Sequence, residues 1–143
     1  MATQEEFQLA IDEIKSATQH FCNGNANPIK ALWSRADDVT IMGGWGSHEH
    51  TWDQVAPRLD WAAVRFLEGQ VAFETLSMGE DGNLGYTVWI ERYAASLQGS
   101  DAVRPFALRA TQIYRREGGT WKIIHRHADA IMEKHEATAI LPR

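Results

Sequence analysis

Phe7, Ala10, Ile11, Ile14, Ala17 and Phe21 recur three or four residues apart, with Gln8, Asp12, Glu13 and Lys15 between them. That period predicts an amphipathic helix. Thr3 followed by Glu6 reads as a capping box at its start. Asn23-Gly24-Asn25 reads as its end, because Gly and Asn accept the left-handed conformation of a C-cap. Asn27-Pro28 reads as an N-cap with proline at the first helical position, opening a short helix from Ile29 to Trp33. Val39–Met42 is β-branched and apolar, a short strand. Gly43–Gly46 is a turn and Ser47–His50 a second short strand. Thr51 and Gln54 repeat the capping pattern before a helix from Trp52 to about Arg65, and Pro57 predicts a break or kink near Ala56.

From Phe66 the period shortens to two. Phe66–Met78, Leu84–Gln98, Arg104–Glu117 and Thr120–Met132 are long segments rich in Val, Ile, Thr and aromatic residues. They are separated by turn chemistry at Glu80–Asn83, Gln98–Asp101 and Glu117–Gly119. Such short connections make neighbouring strands antiparallel. Helices followed by a long meander predict an α+β fold, and strands of this length must twist and curl. No repeat, linker or low-complexity tract divides the chain, so one domain over residues 1–143 is expected.

Composition narrows the function. Nineteen acidic against fourteen basic residues give a net charge of −5, a poor match to nucleic acid, which needs a basic face. No apolar run is long enough for a transmembrane helix. The N-terminus lacks the features of a signal peptide. Cys22 is the single cysteine, so no intrachain disulfide can form and a cytoplasmic setting is expected.

The stretch Leu108–His127 contains R-x-T-x-I-Y-R-R, a Gly118-Gly119 turn and W-K-I-I-H-x-H. It resembles the closing hairpin of the nuclear transport factor 2-like superfamily, in particular its SnoaL-like and ketosteroid-isomerase-like branches. A similar hairpin closes the association domain of calcium/calmodulin-dependent kinase. Leu32-Trp33 and the glycines at 43–46 echo the same pattern, and Asp129 departs from it where a small hydroxyl residue is common. The resemblance implies a cone-shaped, strongly curved, mostly antiparallel sheet wrapped around N-terminal helices. It also implies a pocket at the open end and, in many members, a homodimer through the outer sheet surface. It implies no single reaction, because the superfamily includes isomerases, dehydratases, cyclases, adaptors and assembly hubs. Ketosteroid isomerases place a tyrosine on the first helix, where this chain has Phe7 and Phe21. Asp37 and Asp38 lie near the position of the family's base but read as a solvated turn pair.

Strict alternation groups Trp121, Ile123, His125, His127 and Asp129 on one face, Arg109, Thr111, Ile113 and Arg115 on another, and Trp89, Glu91 and Tyr93 on a third. Glu91 is a carboxylate among large apolar groups, placed as a general base with its pKa raised by desolvation, or as an ion-pair partner of Arg109 on the next strand. His127 is the second candidate acid/base. Arg109, Thr111 and His125 are candidate ligand-binding groups, with Trp33 and Trp89 as apolar walls. Trp45, isolated among glycines, is a candidate lid over a flat ligand or a dimer contact. Tyr86, Tyr93 and Tyr114 are possible oxyanion donors. His125-x-His127-x-Asp129 could converge on a metal, but no further ligand is set beside it, and His48 and His50 lie in a turn, so no metal and no cofactor are expected. Two functions stay open. One is a cofactor-free isomerase, lyase or cyclase acting on an apolar or carboxylated ring compound. The other is a ligand-binding or oligomerisation module without chemistry.

Overall fold

The computed structural model describes residues 2–143, with side chains from Gln4 onward. The chain builds α1 (Ala2–Phe21), α2 (Asn27–Ala31), β1 (Thr40–Gly43), β2 (Gly46–His50) and α3 (Trp52–Ala63). Four long strands follow, β3 (Phe66–Asp81), β4 (Leu84–Leu97), β5 (Arg104–Glu117) and β6 (Thr120–Asp129). They form one curved, unclosed sheet in the order β2-β1-β6-β5-β4-β3, with the helices against its inner face. All neighbours are antiparallel except β1 and β6, where Thr40 lies opposite His125 and Met42 opposite His127. This is the α+β fold with a curled sheet that the pattern of elements predicts, in the cone arrangement that the resemblance implies.

The amphipathic stripe of α1 supplies the core. Phe7, Ile11, Ile14 and Ala17 meet Trp33, Trp89, Tyr114, Trp121 and Ile123, and Val55 and Leu59 of α3 close the cluster. Phe7 stands edge-on to Tyr114 and Trp121, with ring centroids 5.7 and 5.0 Å apart. It presses so closely on β4 that a Cβ at Gly85 would lie 2.6 Å from its Cε1, which explains a glycine in mid-sheet. Two amides at the end of α1 protect the edge strand. Gln19 and Asn23 donate to the Gly69 carbonyl at 2.7 and 2.9 Å, and accept from the N–H groups of Val71 and Gly69. Their side chains thereby stand in for a neighbouring strand at that part of the edge.

Several local expectations are corrected. Helix α1 already begins at Ala2, and the expected Thr3 cap lies outside the described side chains. Asn27 is the first residue of α2, and its N–H is taken by Asn25 Oδ1. Helix α3 runs unbroken through Pro57, because the Asp53 carbonyl that Pro57 cannot pair lies on the exposed side, where water can reach it. Thr51 makes no cap bond, and Gln54 Oε1 instead accepts from the His50 N–H. Strand β3 extends to Asp81, since Glu80 and Asp81 still pair with Gly85 and Leu84, while β6 stops at Asp129.

The correction with the largest consequence lies in β6. Tyr114 pairs with Ile123 but Ile113 pairs with His125, so Ile124 is an extra residue, a β-bulge. One inserted residue reverses the alternation beyond it. Trp121 and Ile123 therefore share the inner face with Arg126 and Ala128, while His125, His127 and Asp129 point to the outer side.

Candidate functional site

The open end of the cone holds an apolar cavity of about 280 Å³. Leu59 and Ala62 of α3, Phe66 at the start of β3, and Tyr93, Phe106 and Leu108 on the inner face of β4 and β5 form its walls. Trp45 overhangs the mouth from the β1–β2 turn. Gly46 (φ 93°) and Ser47 (φ 64°) are left-handed there, and the indole packs edge-on to Trp61 at 5.6 Å and Phe66 at 5.8 Å. Trp45 remains 46% exposed, the one large aromatic of the cavity that reaches solvent to this degree. Arg58 stands at the rim, 4.0 Å over the Trp61 ring, with its Nε 3.8 Å from Glu49 Oε1. That separation is too long for a hydrogen bond, and Glu49 Oε1 is otherwise buried without a partner.

Arg126 is the polar group that reaches this cavity from the sheet. Its Nη1 donates to Glu91 Oε2 at 2.7 Å and to Gln112 Oε1 at 2.9 Å, and its Nη2 donates to Glu91 Oε1 at 2.8 Å. Glu91 is fully buried and receives two further bonds, from Tyr93 Oη at 2.7 Å and Trp89 Nε1 at 2.9 Å. Burial alone would push the Glu91 carboxyl up. The Arg126 charge and the four donors outweigh burial and hold it below the usual carboxylate range. Tyr93 is pushed well above its ordinary range, first by burial and then by the Glu91 charge. The network continues from Gln112 Nε2 to Tyr114 Oη at 2.7 Å and on to Thr87 Oγ1 at 2.6 Å. Glu91 is thus an ion with its acceptor sites filled.

The other residues singled out in the sequence are distributed differently from the expectation. Trp33 and Trp89 are buried in the main core, Trp33 beside Ile123 and Trp89 edge-on to Phe73. Arg109 does not pair with Glu91, because the two residues face opposite sides of the sheet. It forms a bidentate pair with Asp129 on the outer face, at 2.7 and 2.8 Å. Thr111 and His127 lie beside that pair in a shallow outer groove with Leu76, Val88 and Ile90. His125 Nδ1 and Thr40 Oγ1 are 2.7 Å apart, joining β6 to β1, and burial followed by the nearby His127 pushes the His125 pKa down. His48 shares a second open depression with His127, Asp129 and His135. Among the described residues no three His, Cys, Asp or Glu are grouped to hold a metal. The Cys22 thiol is buried and pushed up to about 11 by desolvation, so it is not a poised nucleophile.

Arg126 is the residue that sequence reasoning missed. Alternation without a bulge puts it on the outer face. The available signal was the doublet Ile123-Ile124, two adjacent aliphatic residues where the pattern requires one inside and one outside.

The comparisons agree with this fold. The family model described as SnoaL-like domain matches residues 12–133. No curated protein matches the chain. Among solved structures, a nuclear transport factor 2-like superfamily protein from Salmonella enterica serovar Typhimurium superposes with a TM-score of 0.78 at 14% identity, covering 95% of this chain and 96% of that one. A provisionally assigned dehydratase of the same superfamily from Streptomyces avermitilis gives 0.75 at 17% identity, covering 90% and 96%. A ketosteroid isomerase-like protein from Erwinia carotovora atroseptica gives 0.72 at 14% identity, again covering 90% and 96%. At these identities the likeness is one of fold. No helix among the described residues is long and apolar enough to cross a membrane.

Proposed function

Because this chain belongs to the SnoaL-like domain family, which includes isomerases and dehydratases, we propose that it binds a ring-sized, largely apolar small molecule in the cavity under Trp45, and that its own residues supply binding and not proton transfer. One observation carries this reading. Glu91, the carboxylate buried behind the lining side chains Arg126 and Tyr93, is held by four donors and kept ionised by Arg126. A general base needs a free lone pair and a pKa near the working pH, and Glu91 has neither. A volume of about 280 Å³ suits a one- or two-ring ligand, at the small end of ordinary ligand sites. The reading needs no cofactor and no metal, and it keeps the cytoplasmic setting expected from one unpaired cysteine.

The test is protein-observed NMR with a panel of mono- and bicyclic compounds. Binding should shift the Trp45 indole N–H and the amides of Leu108 and Ala62, and Trp45→Ala should weaken it about tenfold. A panel that leaves all three signals unmoved would overturn the reading.

The proposal extends to a homodimer through the outer sheet face. Leu76, Leu84, Tyr86 and Ile113 are exposed there, apolar side chains that a second copy of the chain would cover. Light scattering should give twice the 16.1 kDa of one chain, and Tyr86→Glu with Ile113→Glu should give one chain.

A further inference from the structure

The charges around the cavity are already matched, and this constrains the ligand. Two lining side chains are cationic, Arg58 and Arg126. Arg126 is neutralised by Glu91 through two short bonds, and Arg58 faces Glu49 at 3.8 Å while stacking on Trp61. The lining contains no carboxylate of its own. The floor is therefore a neutral pair that still presents donors. A guanidinium has five N–H groups, and Arg126 uses three of them on Glu91 and Gln112. Its side chain is 16% exposed and borders the cavity, and Nε–H and one Nη2 hydrogen are the two N–H groups not engaged by Glu91 or Gln112. Acceptors are scarcer on the same wall. The Tyr93 hydroxyl gives its hydrogen to Glu91, Trp45 and Arg58 carry donors only, and the other lining side chains apart from Arg126 are hydrocarbon or absent, as in glycine.

We infer that the cavity is specific for an uncharged ring compound whose single acceptor oxygen, a carbonyl or an ether, is received by the free N–H groups of Arg126, and that it discriminates against the corresponding carboxylate. This rests on the small-molecule reading above and narrows it. A ligand carboxylate at Arg126 would place a second anion against a guanidinium already matched by Glu91, in surroundings too apolar to screen the two negative charges from each other. A pure hydrocarbon would fill the walls but leave the Arg126 donors without a partner once water is displaced. A ketone satisfies both conditions.

Three probes of matched shape separate these cases on the full-length chain: 2-acetylnaphthalene, 2-naphthoate and 2-ethylnaphthalene, followed by the Trp45 indole and Arg126 Nε–H resonances. The ketone is expected to bind at least tenfold more tightly than either of the others and to shift the Arg126 Nε–H. Glu91→Gln should reverse the order. Arg126 then carries an unmatched charge, and 2-naphthoate should tighten at least tenfold and overtake the ketone. A carboxylate that binds the parent as tightly as the ketone overturns the inference. So does a hydrocarbon that matches the ketone, and so does a folded Glu91→Gln chain that treats 2-naphthoate as the parent does. Each of these leaves the binding reading intact, because a ligand still enters. If none of the three moves the Trp45 signal, the binding reading fails and this inference fails with it. Should Glu91→Gln not fold, the ranking of the three probes on the parent decides alone.

Discussion

Two bidentate arginine–carboxylate pairs of the same bond lengths sit on opposite faces of one sheet, the inner one end-on through Nη1 and Nη2 and the outer one side-on through Nε and Nη2. Arg126 reaches Glu91 at 2.7 and 2.8 Å on the inside, and Arg109 reaches Asp129 at 2.7 and 2.8 Å on the outside. Distance does not distinguish them, but the medium does. The inner side chains are 16% and 0% exposed, the outer ones 53% and 29%. In water an ion pair of good geometry contributes little, because solvent screens both charges and the side chains lose freedom in forming it. Inside the cone neither charge can be left alone, so the pair fixes which residues stand on either side of it. The inner pair organises a cavity floor, and the outer pair belongs to a surface.

Removing one inner partner should have the largest effect. Arg126→Met leaves the Glu91 charge buried with only Trp89 and Tyr93 as donors, and should cost about 3–5 kcal/mol in chemical denaturation. Adding Glu91→Leu should recover part of that loss. Recovery stops short of the parent because Trp89 Nε1, Tyr93 Oη and Gln112 Oε1 then lack their partners, at roughly 1–3 kcal/mol for each group left unsatisfied. A double variant no more stable than Arg126→Met would mean that the charge itself is not what destabilises the single one.

This contrast also marks how far the sequence could be read. The helical period of Phe7–Phe21, the four long alternating segments and their glycine turns were enough for an α+β fold with a curled sheet, and the resemblance of the Leu108–His127 hairpin implied the cone. Hairpin chemistry is local, and one face of each strand must be apolar. The assignment of the inner face stopped at Ile124. A bulge is a one-residue event, and its signature is a doublet of isoleucines that could equally be a strand buried on both sides. Everything beyond it reversed. His125, His127 and Asp129 went to the outside with Arg109, and Arg126 came inside to the Glu91 that the alternation had given to Arg109. Glu91 was found as a buried mid-strand carboxylate, but its partner lies two strands away, where pairwise neighbour reasoning does not reach. Trp45 stood out because no periodic pattern claimed it, and it overhangs the cavity.

Smaller changes sharpen the same comparison. Tyr93→Phe removes one of the four donors to an ionised carboxylate and should cost roughly 1.5–3 kcal/mol. The pH dependence should follow Glu91. Its folded pKa lies below the unfolded value, so its stabilisation is fully present above an unfolded carboxyl pKa of about 4.3 and is lost as pH falls through the folded pKa. Denaturation curves between pH 7 and pH 3 should show a falling limb at the acid end, and that limb should shrink in the Glu91→Leu, Arg126→Met double variant. An unchanged limb there would assign acid sensitivity to other carboxylates.

The smallest effect is expected from the outer pair. Arg109→Ala removes a bidentate bond of the same length as the inner one, yet water can solvate both Asp129 and the space the guanidinium vacates. The midpoint of thermal unfolding should stay within experimental error of the parent, in low salt and in high salt. The Asp129 carboxyl, held below its usual range first by the Arg109 hydrogen bonds, should return toward it, which an NMR titration of the Asp129 side chain reads directly. The experiment should be repeated across protein concentrations. A marked loss of stability that grows as the protein is diluted would show that a second copy of the chain covers the outer face and that Arg109–Asp129 is desolvated in the dimer. A loss independent of concentration would show that the outer pair is worth as much as the inner one, and the distinction drawn between the two media would be wrong.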